Sequence, residues 1–174
     1  MPSFKLPPDD VADVLQAVLK KHHTDLLEVD VRIQVLASHA KLNKAGFPTG
    51  EALLHRGYPA LAVVSLFSLK DRVGGSADAR IVINGDAWAE HSPEKKESLL
   101  HHECLHLELI RDDEGNVELD DACRPKLKLR PHDFEAGIFW EAVKNYGDDS
   151  CEAESWKPAN RKMTQMLLPF DQRG

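Results

Sequence analysis

Hydrophobic positions along the chain follow two periodicities that take turns. From Asp9 to Leu27, Val11, Val14, Leu15, Val18, Leu19 and Leu26 recur at helical spacing after an Asp-rich start, which predicts an amphipathic helix covering one face of a sheet. Val31, Ile33, Val35 and Ala37 then alternate with Arg32, Gln34 and Leu36, the period of a strand with one face toward a core. His39 to Pro59 shows neither period. Its Gly46, Pro48, Gly50, Gly57 and Pro59 predict an ordered connection or short helix, in which His39 and His55 read as ordinary polar residues. Ala62 to Leu69 is a β-rich run followed by a turn signal at Gly74-Gly75, and Arg80 to Asn84 is a further strand leading through Gly85 and Trp88 into a helix.

Past that helix the elements shorten. Asp112 to Asn116 predicts a turn joining strands at Leu109 to Arg111 and Val117 to Leu119, and Lys126 to Arg130 alternates as another short strand. Pro131 interrupts it. Asp133 can then cap a helix carrying Phe134, Ile138, Phe139, Val143 and Tyr146, closed by Gly147, and Met166 to Phe170 reads as a docking strand. The intermixed strands and helices predict an α+β fold, a small mixed or antiparallel sheet packed against helices, in a single domain spanning 1–174.

Composition narrows the functional classes. The 174 residues are 42% hydrophobic and 29% charged, ordinary for a globular chain, and no apolar run approaches the length of a membrane span. The start, with Lys5, three prolines and two aspartates by Asp10, lacks the apolar core of a secretory signal, so the expected location is the cytoplasm. Cys104, Cys123 and Cys151 are odd in number and lack CxxC spacing, which suits reduced thiols. A net charge of -7 argues against nucleic acid as a partner, and the basic stretches Lys126 to Arg130 and Lys157 to Lys162 read as solvated surface.

The chemistry concentrates in the helix predicted from Ser92. Ser92 suits an N-cap, Pro93 the first helical position, and Glu94 the positive helix end. The helix carries His102-Glu103-Cys104-Leu105-His106, an HExxH motif, with two imidazoles one turn apart on one face and Glu103 beside them. With nine His in the chain the motif arises by chance in roughly 3% of such sequences, so its context matters. That context is leucine on nearly every side, which predicts a buried helix, and burying such a polar triplet costs several kcal/mol unless something such as a metal compensates. Catalytic zinc takes three protein ligands and keeps a position for water. The third ligand must therefore come from elsewhere. His132 is the candidate, Asp133 and Glu135 compete as carboxylates, and Glu108 points away on a straight helix. Cys104, on roughly the opposite side from His102, reads as a packed thiol.

The ordered combination of Ala77 to Trp88, Leu99 to His106, Arg130-Pro-His-Asp-Phe134 and Val143 to Gly147 resembles the phage-type metallopeptidase domain family, over roughly Pro59 to Gly147. The resemblance implies a zincin-like fold, His102 and His106 as zinc ligands, Glu103 as general base and His132 as third ligand, and ligands that converge once per chain predict one Zn2+ per chain. The resemblance supplies no substrate of its own; a peptide or protein substrate is the expectation from a metal-activated water with a general base beside it. Arg80 to Asn84 is the expected edge strand for an extended peptide, and Tyr146 or Arg130 the expected oxyanion partner. Two other readings share the motif: a SprT-like protease acting on DNA-bound protein, and a non-catalytic zinc-stabilised interaction module. The second has no use for a base beside the ligands.

Overall fold

A computed structural model describes residues 2–132 and 139–151. The chain opens with β1 (Ser3–Lys5), then α1 (Asp10–His22), α2 (Thr24–Glu28) and β2 (Ile33–His39). Two miniature hairpins follow, β3 (Lys41–Leu42) with β4 (Pro48–Thr49) and β5 (Leu54–His55) with β6 (Tyr58–Pro59). Then come β7 (Ala62–Leu66), α3 (Leu69–Val73), β8 (Ala79–Asn84), α4 (Gly85–Glu90) and α5 (Pro93–Leu105). The described chain ends with β9 (Leu107–Leu109), β10 (Leu127–Leu129), α6 (Trp140–Tyr146) and a 3-10 turn at Gly147–Asp149. The fold is mixed α+β, with six α-helices among the described residues.

The main sheet has the order β1-β2-β8-β7. β8 lies between β2, which it pairs in parallel, and β7, which it pairs antiparallel. That position overturns the expectation of Arg80 to Asn84 as a free edge, because both rows of its backbone groups are taken. The edge is β7. Its bonds to β8 include Asn84 N–H to the Leu61 carbonyl and Phe67 N–H to the Asp78 carbonyl. The alternation of an antiparallel ladder then turns the backbone groups of Ala62, Val64 and Leu66 away from the sheet.

Alternation fixes which sheet face is inside. Ala79, Ile81 and Ile83 of β8 are fully buried, and they share a core with Val11, Leu15, Val18 and Leu19 of α1 and Leu99, Leu100 and Cys104 of α5. Each fully buried large aliphatic side chain contributes about 1.5–3 kcal/mol. Asp10 ties the helices over this core, accepting from Trp88 Nε1 at 3.1 Å and Lys96 Nζ at 2.8 Å. Gly85, where α4 begins, is needed for space: a Cβ there would lie 2.5 Å from Cε1 of His39. The His39 ring is in turn held by Asp86 at 2.7 Å.

Several local expectations need correction. The single helix predicted over Asp9 to Leu27 breaks at His23, which takes a non-helical conformation because its ring turns inward to a buried partner. The His39 to Pro59 connection contains no helix; Gly46 and Gly57 sit at positive φ in the two hairpin turns, and Gly50, also at positive φ, follows β4. Leu69, taken as the end of a strand, starts α3 after Ser68 caps it. The predicted Asp133 cap, Phe134 and Ile138, the Lys157 to Lys162 stretch and the Met166 to Phe170 strand lie outside the described residues. Phe139 precedes α6 rather than lying in it.

The turn at Asp112 to Asn116 forms, with Arg111 bridging Val117, but the main partner of β9 lies farther on in β10. The intervening excursion is pinned to the end of the sheet by charge. Asp78, 1% exposed, accepts from Arg124 Nη2 at 2.6 Å and from the Arg32 amide at 2.8 Å, while Arg72 pairs with Asp120 at 2.8 Å. The local basic patch is likewise paired: Lys126 meets Glu118 at 2.9 Å and Lys128 meets Glu108 at 3.0 Å. Among the described residues no helix is long and apolar enough to cross a membrane.

Candidate metal centre

The helix carrying the motif starts as its first residues dictate. Ser92 Oγ accepts from the Lys95 amide at 3.3 Å and Pro93 fills the first turn. From Ser98 to Leu105 every residue except His102 is buried. The helix ends at Leu105, and His106 is its C-cap, still in helical conformation with φ -72° and ψ -19°. The four-residue spacing therefore survives at the helix end, with the His102 and His106 rings 5.2 Å apart.

A ladder delivers the third imidazole. β9 begins one residue after His106, and its pairing with β10 sets Leu107 opposite Leu129. The next step pairs His106 with Arg130: the Arg130 amide donates to the His106 carbonyl at 2.8 Å, and His106 Nδ1 donates to the Arg130 carbonyl at 2.7 Å. Two residues later His132 arrives beside both motif histidines, its ring 5.1 Å from His102 and 4.6 Å from His106. Phe139 closes the triad from below, 4.9 and 4.7 Å from the two motif rings.

The donor set suits a metal. One ligand atom from each of His102, His106 and His132 lies within 4.8 Å of the others. Nε2 of His102 and Nε2 of His132 are 3.2 Å apart, close to the roughly 3.3 Å that two nitrogens span on a tetrahedral zinc with ordinary bond lengths. The bond from His106 Nδ1 to a backbone carbonyl fixes its tautomer and leaves Nε2 as the nitrogen that could take a metal, an arrangement common in metal-binding histidine. Burial lowers the pKa of His106 to about 4, so the ring is neutral and ready to donate at ordinary pH.

These residues line a cleft of about 990 Å³. Glu103, 4% exposed, opens onto it beside His102 and His106, and β7 forms part of its wall through Ala62, Val63 and Val64. His55, Arg56 and Arg130 also line it. Asp133 and Glu135 lie outside the described residues. Glu108 sits on β9, exposed and paired with Lys128, away from the triad. Cys104 is fully buried, and burial raises its thiol pKa far above the usual range, which leaves it inert.

Tyr146 is a correction: it does not line the cleft but packs on the other side of α5, its ring 5.7 Å from that of His101. There it joins a polar group that sequence reading missed. His101, fully buried, bonds His23 through Nδ1 at 2.8 Å, and the Asn145 amide meets its Nε2 at 3.3 Å. Burial lowers the His23 pKa to about 4. Nothing in either histidine's local sequence signals the pairing, because they are 78 positions apart.

No curated protein and no solved structure gives a significant match to this chain. A family profile does: that of the family described as Putative phage metallopeptidase matches residues 4–165, well beyond Pro59 to Gly147. With the match covering nearly the whole sequence, the chain belongs to this phage metallopeptidase family.

Proposed function

We propose that the chain is a zinc-dependent peptidase of zincin-like design, holding one zinc per molecule on His102, His106 and His132. The observation that carries this reading is the convergence of three imidazoles with Glu103 in one open cleft. A zinc ion so held supplies Lewis acidity, polarising a peptide carbonyl and making water a nucleophile near neutral pH. The protein's own groups do the rest. Glu103 takes the proton from the attacking water and returns it to the departing amine, a task for which a carboxylate beside two ligands is well placed. The Arg130 carbonyl keeps His106 oriented with Nε2 forward. The outward backbone groups of Ala62, Val64 and Leu66 receive an extended substrate as an added strand along β7.

The test compares wild type with Glu103→Gln at equal zinc content on a mixed peptide library. The amide preserves shape and metal while removing the base, so cleavage should fall by about 10²–10⁴-fold. Equal cleavage by both rejects Glu103 as base. Cleavage by neither, with zinc bound, moves the reading to a non-catalytic metal-stabilised module. Elemental analysis showing no divalent metal after zinc-supplemented preparation removes its basis altogether.

A further inference from the structure

The cleft is charged against the trend of the chain. The net formal charge is -7, yet Arg56 and Arg130 line the cleft and Glu103 is the only acidic residue to do so among those described. Three metal-binding imidazoles would add a cation to that wall.

Arg56 is the more informative of the two. It opens the two-residue turn Arg56-Gly57 between β5 and β6, and both residues have positive φ, 51° and 88°. This is the type I′ arrangement, whose first position favours Asn, Asp or Gly. A long side chain there carries a backbone penalty, and strain of this kind is concentrated where a site requires a particular residue. Arg56 has no hydrogen bond or ion pair with any described residue that would account for its presence. Its remaining distinction is its place on the wall of the cleft.

We propose that the cleft selects peptides bearing an acidic side chain close to the scissile bond, with Arg56 as the residue that recognises it. Arg130 adds positive potential from the segment leading to His132. This rests on the peptidase reading and supplies its substrate class. A carboxylate reached by a guanidinium gains charge-assisted hydrogen bonds, stronger inside a cleft than in open water. Nucleic acid is the other polyanion such a wall could attract. The β7 edge favours peptide, since its backbone donors and acceptors match an extended chain, and two cations make no track for a phosphate backbone.

The experiment uses zinc-loaded Glu103→Gln protein, which should bind without turning over, and fluorescent peptides identical except for Asp, Ala or Lys flanking the central bond. Anisotropy should show the Asp peptide binding roughly tenfold or more tighter than the Ala peptide, with the Lys peptide weakest and the preference shrinking in high salt. Adding Arg56→Gly relieves the turn, so thermal stability should hold or rise while the acidic preference is lost. Adding Arg56→Glu should favour the Lys peptide. Equal binding of the three peptides, a preference untouched by Arg56→Gly, or displacement of the Asp peptide by a single-stranded oligodeoxynucleotide of matched charge overturns the inference. Wild-type cleavage of a mixed library without enrichment of acidic residues overturns it while leaving the peptidase reading intact. Selective binding of the Asp peptide without wild-type cleavage does the reverse.

Discussion

His101 and His102 are consecutive on α5, yet one is fully enclosed and the other borders a cleft. His102 meets His106 and His132 with ring nitrogens turned toward a shared point. His101 looks the opposite way, donating from Nδ1 to His23 while Asn145 donates to its other nitrogen. Both nitrogens of His101 are thus engaged by protein elsewhere in the core, whereas His102, His106 and His132 bring one possible ligand atom each within 4.8 Å of the others. The difference teaches that residue type alone assigns no role: the angle of 100° between neighbours on a helix separates a site from its support.

The largest effect that tests this contrast is metal retention. His102→Ala and His106→Ala should each lose most of the bound zinc, while His101→Ala should keep about one equivalent, measured by elemental analysis on folded protein. A folded His101→Ala lacking metal would break the comparison. For the third ligand, competitive zinc titration should rank His132→Ala as far more damaging than Asp133→Ala, whose loss should be roughly 10- to 100-fold if it orients an imidazole, with Glu135→Ala mildest. A wild-type affinity for His132→Ala together with a large loss for Glu135→Ala would make the site a two-His, one-Glu centre.

On the back face the expected loss is in stability. His101→Ala removes a buried ring and strands the His23 nitrogen, so denaturant unfolding of metal-free protein should show a loss of about 2–4 kcal/mol. His102→Ala, at a partly exposed position, should cost metal-free protein much less. The smallest effect is in pH. The folded-state pKa of His23 is lowered from 6.5 to about 4, mainly by burial. Between those values the unfolded chain holds a proton that the folded chain excludes, so this contribution is complete above about pH 6.5 and lost as pH falls toward 4. Its slope is at most roughly 1.4 kcal/mol per pH unit. His106 adds a slope of the same sign from the cleft side. Metal-free His23→Gln should therefore lose less stability than wild type between pH 7 and pH 5, and an unchanged drop would remove His23 from the account.

Much of this architecture could be read from local pattern. The Ser92-Pro93 start, the HExxH spacing and the alternation across Ile33 to Ala37 and Arg80 to Asn84 each depend on neighbours in sequence, and each appears close to where it was expected. What stayed hidden depends on distant partners. Arg80 to Asn84 looks the same in sequence whether it borders solvent or lies between β2 and β7. β9 pairs with β10 across an excursion whose own turn gives the stronger local signal. His23 interrupts a helical pattern without Gly or Pro, because the buried bond to His101 wins over helix continuation. The two miniature hairpins have strands of two residues, too short to display any period.

The ladder step between His106 and Arg130 has a consequence for how such a chain can change length over evolutionary time. Residues between Ile110 and Lys126 leave and rejoin the hairpin at fixed points, so extra residues at the exposed turn around Glu114 only enlarge a loop. Doubling a loop costs only about 0.6 kcal/mol in closure entropy. A single residue added between Leu127 and His132 is another matter, since side chains on a strand alternate and one step turns the histidine to the opposite face. Length variation should therefore collect at the turn, and a short inserted tag at Glu114 should leave zinc stoichiometry unchanged where one extra residue after Lys128 removes it.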